Sequence, residues 1–251
     1  MDLDLTGKVA VVTGGGGAIG SAIALSLAAE GASTVIGDVD LAALERTADS
    51  VRAGSGRVLA VPLDVSSEAS WSAAISTAVG AFGGVQILVN NAGLNSEADA
   101  VDETLERFQR VIAVNEIGVW LGIKYCVPEM RSAGGGAIVN IASISGVVGG
   151  FGRAVAYHAT KASVRGITRN SALRFAPDGI RINSVHPGPI NSTMHARDRG
   201  TPIEAKTIGM TALARFGEPE EIASVVTFLA SPRASFMTGA EVFVDGGWTA
   251  I

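Results

Sequence analysis

The glycine run near the N-terminus most constrains what this chain can fold into. It reads Thr13-Gly14-Gly15-Gly16-Gly17-Ala18-Ile19-Gly20, follows the apolar run Val9–Val12 and leads into an apolar helical stretch. Glycines let a backbone approach a pyrophosphate closely, and a helix N-terminus offers unpaired N–H groups and a favourable dipole. A plain tight turn would look similar, but the position directly after a first strand favours a dinucleotide-binding site.

Beyond this turn, short apolar runs alternate with helical stretches. Such runs suit strands that are covered on both faces, and their alternation with helices predicts a doubly wound, Rossmann-type α/β fold with a parallel sheet. No linker or repeat interrupts the pattern, so we expect one domain over residues 1–251. Further strands are predicted at Thr34–Ile36, Val58–Val61, Ile87–Val89, Ile138–Ile141 and Ile180–Val185, and helices at Ile19–Glu30, Leu41–Arg52 and Ser67–Phe82, with Asp40 and Ser66 as N-caps of the last two.

Composition and charge exclude several classes of protein. A hydrophobic fraction of 47% excludes a disordered chain, and a net charge of −5 without a basic block speaks against nucleic-acid binding. No signal peptide or membrane-length apolar run is visible, so we expect a cytoplasmic protein. The single cysteine, Cys126, reads as a buried helix residue, and His158 and His195 read as packing or solvated side chains, so no metal site is expected.

Asp38 ends the second predicted strand, about 20 residues beyond the glycine turn. A carboxylate there can accept hydrogen bonds from the adenosine ribose and would repel a 2′-phosphate, which favours NAD over NADP. The alternative is that Asp38 caps the next helix, but Asp40 is better placed for that role.

Tyr157 and Lys161 are one helical turn apart, and Ser143 follows a predicted strand. A phenol with a pKa of about 10 is a poor base at neutral pH, but a nearby ammonium favours the phenolate. A hydroxyl at the carboxyl edge of the sheet can hydrogen-bond a substrate carbonyl or alkoxide. The three residues together therefore predict proton transfer to or from a substrate oxygen.

An ordered set of such motifs resembles the short-chain dehydrogenase/reductase family of the compact, single-domain type, from about Leu5 to Trp248. The resemblance implies a seven-stranded parallel sheet with helices on both faces, a nicotinamide cofactor and a homotetramer in which Phe243–Ile251 packs across a subunit interface. The set comprises Thr13–Gly20, Asp64 in Leu63-Asp64-Val65, Asn90-Asn91-Ala92-Gly93, Asn115, Ser143, Tyr157 with Lys161, Pro187-Gly188, and Val244-Asp245-Gly246-Gly247.

The resemblance also implies a role for each matching residue. Tyr157 would be the general acid/base, Ser143 would hold the substrate oxygen, Lys161 would bind the nicotinamide ribose and polarise Tyr157, and Asn115 would hold a relay water. The implied cofactor site comprises Gly14, Gly17, Ala18, Ile19 and Asp38, Asp64 and Val65 at the adenine, Asn91, Ala92 and Gly93 along the adenosine and ribose, Tyr157 and Lys161, Pro187, Gly188 and Ile190 beside the nicotinamide, and Ser192 or Thr193. Asn90 would brace the sheet.

Two departures from the family pattern concern the turn and the pocket. Ala18 stands where glycine is commonest, and Ser143 precedes Tyr157 by fourteen residues, one more than usual, so the loop Gly146–Ala156 is expected to have its own shape. Residues 188–212 form a predicted substrate loop. The candidate lining residues are mostly apolar, which favours an uncharged, hydrophobic ketone or alcohol; they are Leu94, Phe151, Val155, Met194, His195 and Met210.

These observations predict an NAD(H)-dependent oxidoreductase that moves a hydride between nicotinamide and a secondary alcohol or ketone. Two alternatives remain. A dinucleotide-binding regulator without catalysis would have no need of Asn115, Ser143, Tyr157 and Lys161 together. A reductase of acyl thioesters on a carrier protein would call for a basic surface, which the acidic composition disfavours.

Overall fold

A computed structural model, which describes residues 3–151, 153–192, 196 and 199–250, contains a seven-stranded sheet in which every strand pairs in parallel. The order across the sheet is β3-β2-β1-β4-β5-β6-β7. The Rossmann-type prediction is confirmed, and each of the six predicted strands lies within an observed one. The strands are β1 Val9–Thr13, β2 Ser33–Asp38, β3 Val58–Pro62, β4 Ile87–Asn90, β5 Gly136–Ile141, β6 Ile180–Pro187 and β7 Glu241–Val244.

Helices connect the strands and cover both faces of the sheet. Asp40 caps the second helix, as predicted, by accepting a hydrogen bond from the Ala43 amide at 3.0 Å. The cap predicted at Ser66 is wrong by one residue, because Ser67 accepts from the Ser70 amide instead. The helices are α1 Ala18–Ala29, α2 Leu41–Ala53, α3 Glu68–Phe82, α4 Leu105–Ile112, α5 Gly118–Ser132, α6 Val155–Phe175, α7 Pro202–Gly209 and α8 Pro219–Ala230.

Two hydrophobic clusters lie on opposite faces of the sheet. The alternation along β1 shows this division, since Val9 and Val11 belong to one cluster and Ala10 and Val12 to the other. Cys126 is fully buried in the first cluster, as the sequence predicted, and burial raises the pKa of its thiol. The sheet is therefore covered on both faces, so a ligand can reach it at the ends of the strands.

The strand order reverses next to β1. The chain proceeds from β1 to β2 and β3 on one side, and then crosses to β4 on the other side of β1. In open parallel sheets a ligand crevice lies outside the carboxyl ends of the strands at such a reversal. The glycine turn follows β1 and Asn91 follows β4, so both lie at this point.

A long helical stretch lies between β4 and β5. Helix α4, a π-helical turn at Ala113–Ile117 and α5 run without a break from Leu105 to Ser132, 28 residues that are long and apolar enough to cross a membrane by length and composition alone. Its most apolar window is 56% buried inside the fold, as a core helix would be. The π-helical turn contains Asn115, and such turns often occur at functional sites.

Candidate active site

The glycine turn after β1 is interlocked with the start of α1. Gly14 has a φ of +66°, which favours glycine, and a Cβ built on Gly20 would lie 2.0 Å from the Gly14 carbonyl oxygen. The close approach between turn and helix is therefore at Gly20. Ala18, where the family commonly has glycine, is the first residue of α1 and takes no part in this contact.

The first turn of α1 has no side chain to satisfy its backbone. Gly17 occupies the N-cap position and offers no side-chain hydrogen bond, and the first turn carries no acidic residue. The N-terminal amides of α1 and the positive end of its dipole therefore remain available for an anion.

Residues after β4 fasten this turn from the other side. The Asn91 side-chain amide donates to the carbonyl oxygens of Thr13 and Gly14 at 2.9 and 3.1 Å, and the backbone amides of Asn91 and Ala92 donate to the Thr13 hydroxyl. Asn90 points elsewhere, donating to Asn140 on β5 at 2.9 Å, which matches its predicted role in bracing the sheet.

Asp38 lies at the end of β2 and faces the same turn. Its Oδ2 accepts from the Gly16 amide at 3.0 Å, and its Oδ1 accepts from the Asp40 amide at 3.1 Å. The carboxylate is therefore fixed beside the glycines, while Asp40 caps α2.

Asp64 and Val65 follow β3, farther along the same edge. The Asp64 carboxylate accepts from the hydroxyl and the amide of Ser66, and the hydroxyl contact is the main reason that the pKa of Asp64 is lowered. Val65 is buried and packs against Gly118 at the start of α5. These contacts give the two residues a structural task besides any contact with adenine.

Ser143 and Tyr157 meet at the carboxyl edge of β5. The Ser143 oxygen accepts from the Ser145 amide at 3.1 Å, which leaves its O–H free to donate. Burial raises the pKa of the Tyr157 phenol, and the hydrogen bond with Ser143 opposes that increase. Ser143 and Tyr157, which were both predicted to act on the substrate oxygen, therefore lie together in the structure.

Lys161 is buried one turn along α6 from Tyr157. Its Nζ lies 5.6 Å from the centroid of the Tyr157 ring and donates to the Ile141 carbonyl at 2.7 Å. Desolvation lowers the pKa of the Lys161 amine to about 8, because a buried ammonium loses its hydration.

Asn115 is fully buried and reaches this site from the π-helical turn. Its Oδ1 accepts from the Leu94 amide at 2.7 Å, and its Nδ2 donates to the Leu94 carbonyl and to Thr160 beside Lys161. A Cβ built on Gly93 would lie 3.5 Å from Asn115 Oδ1 and 3.6 Å from Lys161 Nζ. Asn115 therefore ties the segment after β4 to the helix that carries Tyr157 and Lys161.

A cleft of about 330 Å³ opens at this edge and brings many of the sequence-predicted residues together. Ser143, Tyr157 and Lys161 line it. Of the other cofactor candidates, Ile19, Asn91, Gly93, Pro187, Gly188, Ile190 and Ser192 also line it. Gly14, Gly17, Ala18, Asp38, Asp64, Val65 and Ala92 lie outside the cleft, in the glycine turn, after β4 and at the ends of β2 and β3.

Comparison with known proteins places this geometry in a family. A family model described as enoyl-(acyl carrier protein) reductase matches residues 16–249. A 3-alpha-(or 20-beta)-hydroxysteroid dehydrogenase of Mycobacterium tuberculosis is 43% identical over 250 residues, 98% of this chain and 91% of that protein. A cyclohexanol dehydrogenase of Acinetobacter sp. is 41% identical over 243 residues, 96% and 95% of the two chains. The crystal structure of a short-chain type dehydrogenase/reductase from Mycobacterium marinum superimposes with a TM-score of 0.96 at 33% identity, over 100% of this chain and 98% of that one.

The chain belongs to the short-chain dehydrogenase/reductase family. It is therefore an oxidoreductase that uses NAD or NADP and acts on a small molecule. The residues present fit such a dinucleotide. The glycine turn leaves no side chain between the sheet and the α1 N-terminus, and the cleft continues from Ile19 past Lys161 to Pro187. Among the described residues, no group of three or more His, Cys, Asp or Glu side chains could hold a metal ion.

The substrate side of this short-chain dehydrogenase/reductase was predicted less well. Phe151 lines the cleft, but Leu94, Val155 and Met210 do not, and Met194 and His195, like Thr193, lie outside the described residues. The predicted substrate loop also contains the helix α7, whose Ile203 and Thr207 face the cleft. The loop between Ser143 and α6 ends at Ala154. This residue precedes α6 and has a left-handed φ of +63°.

Several lining residues were missed altogether. Trp248, expected at a subunit interface, is 93% buried within the chain itself, packs edge-to-face on Phe151 at 6.0 Å and lines the cleft; Ile251 is outside the described residues. Some of the other missed residues add polar groups to a pocket predicted as apolar; among them are Asn95, Ser96, Glu97, Arg153 and His158. No local signal distinguishes them, because they come from separate segments that meet only in the fold.

Proposed function

We propose that this protein is an NAD(H)-dependent dehydrogenase of cyclic secondary alcohols, which also reduces the corresponding ketones. The observation that carries the proposal is the meeting of Ser143, Tyr157 and Lys161 in a cleft next to the glycine turn. The names of the relatives support the substrate class, because they act on a hydroxysteroid and on cyclohexanol. A regulator without catalysis would gain nothing from burying a lysine beside a phenol.

In the proposed mechanism, Ser143 donates its O–H to the substrate oxygen while the Ser145 amide keeps the serine oriented. Tyr157 removes the hydroxyl proton during oxidation and returns it during reduction. Nicotinamide, when bound, supplies the chemistry of accepting or returning a hydride at the substrate carbon. Burial opposes formation of the Tyr157 phenolate, so the enzyme has to stabilise that anion.

Lys161 supplies part of that stabilisation. A charged amine near the phenol favours the phenolate, and this contribution remains when Ser143 donates its O–H to the substrate oxygen. The pKa of about 8 for Lys161 keeps the amine mostly charged at neutral pH. Asn115, which holds the neighbouring segment, would complete the proton path to solvent.

The choice of NAD over NADP is proposed from Asp38. Its carboxylate is fixed next to the Gly16 amide, where the adenosine ribose would lie, and the glycine turn contains no lysine or arginine. A 2′-phosphate would therefore meet a fixed negative charge without a cation in the turn to compensate.

The test of this function replaces the phenol. Tyr157→Phe should lower the turnover of cyclohexanol with NAD by at least about a hundredfold, while the Kd of NADH stays within a few-fold, because the ring remains and only the transferable proton is lost. Lys161→Ala should lower the turnover and also weaken the binding of NADH. Retention of more than about a tenth of wild-type turnover by Tyr157→Phe would refute the general acid/base role.

A cytoplasmic, single-domain homotetramer remains part of the proposal. Relatives in this family commonly assemble with twofold axes, a frequent closed symmetry. Light scattering should then give four times 25.5 kDa.

A further inference from the structure

The loop that carries Ser143 is held by two side chains that do not line the cleft. Ser143 precedes a single 3₁₀ turn at Ile144–Gly146, whose own hydrogen bonds are short-range. The Ser143 carbonyl accepts from His186 Nδ1 at 3.2 Å, and the Gly146 carbonyl accepts from Arg165 NH1 at 3.0 Å. The two ends of the turn are thus anchored to β6 and to α6.

His186 makes its contact in a fixed state. The ring is fully buried and stacks on Phe243 with the centroids 4.8 Å apart. A carbonyl can only accept, so Nδ1 carries the proton and Nε2 accepts from the Ser184 hydroxyl at 2.9 Å. Desolvation lowers the pKa of His186 and keeps the ring neutral.

Arg165 makes its contact in a fixed orientation. Its Nε and NH2 donate to Glu241 Oε2 at 3.1 and 2.9 Å, and NH1 is left to reach Gly146. Arg169 NH2 lies 2.7 Å from Glu241 Oε1, so the carboxylate is clamped from both sides. The Glu241 side chain is 88% buried, which makes this ion pair less screened than one at the surface.

The turn has little freedom at its far end. A Cβ built on Gly146 would lie 2.6 Å from the Lys161 carbonyl oxygen, so Gly146 rests directly on the helix that carries Tyr157 and Lys161. A shift of the turn would move Ser143 relative to Tyr157, and displacements of about 1 Å can cost a hundredfold in rate.

We propose that Arg165, oriented by Glu241, and His186 are positioning residues that hold the Ser143 hydroxyl against Tyr157. This inference rests on the proposed function for its kinetic consequence but on the hydrogen bonds alone for its structural part. Neither residue lines the cleft; each acts through a backbone carbonyl of the turn.

The test compares ion pairs of similar geometry. Arg165→Met removes the anchor at Gly146. Arg131→Met is the matched control, because Arg131 donates through Nε and NH2 to Asp178 at 2.9 and 2.7 Å, and Arg131 does not line the cleft. His186→Leu removes the other anchor, and His186→Asn is a conservative variant whose amide can take the place of Nδ1–H.

Arg165→Met and His186→Leu should lower kcat for cyclohexanol about tenfold or more, with the Kd of NADH within twofold to threefold. In the free enzyme the Ser143 hydrogen bond lowers the pKa of Tyr157, so its loss should move the basic rise of the kcat/KM profile to higher pH. Arg131→Met should move neither quantity, and His186→Asn should recover most of the turnover. A kcat within twofold of wild type in Arg165→Met, or equal loss in both His186 variants, would overturn the proposal.

Hydrogen–deuterium exchange separates this proposal from the proposed function. A wild-type protein that fails to oxidise cyclohexanol refutes the substrate class, and the exchange of residues 143–148 then decides the structural claim. Faster exchange there in Arg165→Met and His186→Leu, but not in Arg131→Met, supports the two anchors. Unchanged exchange in both variants refutes them.

Discussion

Two stretches of the same sheet edge do different work and are built differently. The glycine turn of residues 13–20 is held through its own backbone atoms: Gly20 nearly touches the Gly14 carbonyl, and the Asn91 side chain donates to two carbonyls of the turn. The substrate side is assembled from the loop before α6, helix α7 and the C-terminal Trp248, which meet through side chains. The first stretch tolerates little change in sequence, whereas the second can change its lining without disturbing the backbone.

The largest expected effect comes from adding one methyl group to the glycine turn, compared with one added to the substrate side. Gly20→Ala should weaken NADH binding by at least about a hundredfold, because its Cβ would lie 2.0 Å from the Gly14 carbonyl and must displace the turn from α1. Gly149→Ala, in the loop before α6, has no atom within 4 Å of its Cβ and should change the Kd by less than about twofold. Fluorescence titration with NADH measures both, and equal affinities in the two variants would contradict the contrast.

Charge provides the second comparison, within the cofactor side. Asp38→Asn should reduce the preference for NAD over NADP, expected to be about a hundredfold in kcat/KM, because it removes the repulsion but keeps an acceptor for a backbone amide. Asp40→Asn is the control, since Asp40 accepts from Ala43 at the start of α2. Steady-state kinetics with both cofactors measures the ratio. Equal use of NAD and NADP by the wild type would show that Asp38 does not read the ribose.

The same contrast explains what the sequence could predict. The glycine turn, Asp38 and the Tyr157–Lys161 pair were identified because backbone approach or helical spacing restricts which residues can stand there. Trp248 lies about 97 residues from its partner Phe151, so no local pattern connects them. The α7 helix inside the substrate loop was missed because its eight residues show no clear apolar period. The cap predicted at Ser66 is wrong by one position because two serines are adjacent there, and only the backbone geometry at the helix start separates them.

Trp248 gives a prediction for the substrate side, with a smaller effect. Trp248→Ala should lower kcat/KM for cyclohexanol about tenfold, since it removes a buried wall of the cleft and the edge-to-face contact with Phe151. The Kd of NADH should stay within about twofold. Trp120→Ala is the control, because that ring is 49% exposed on α5 and does not line the cleft. A loss of NADH affinity as large as the loss in kcat/KM would show that Trp248 supports the cofactor side instead.

The smallest expected effect is on the stability of the fold. Here the glycine turn and the catalytic end of the sheet are expected to differ in what they contribute to the free energy of unfolding. The interlocked turn stabilises the fold, whereas Lys161 is a charge kept in a buried position. Its pKa of about 8 in the folded chain lies below the ordinary 10.5, so the unfolded chain binds more protons between these pH values. Stability therefore rises with pH across that window, and the cost of burying the charge is fully present below pH 8.

Lys161→Met removes this cost, about 3 kcal/mol at neutral pH, but leaves the Ile141 carbonyl without its donor, which costs about 1–3 kcal/mol. The net expectation at pH 7 is a gain of roughly 1 kcal/mol, or about 2–4 °C in Tm for a chain of this size. Above pH 8 the gain should shrink and then reverse, because wild-type Lys161 loses its proton in the folded chain and the cost of burying the charge falls below that of the lost hydrogen bond. Calorimetric scans of both proteins from pH 6 to about 10.5 measure the difference. A difference in Tm that does not change with pH would mean that Lys161 is not buried as a charge, and that the catalytic end of the sheet contributes to folding as the glycine turn does.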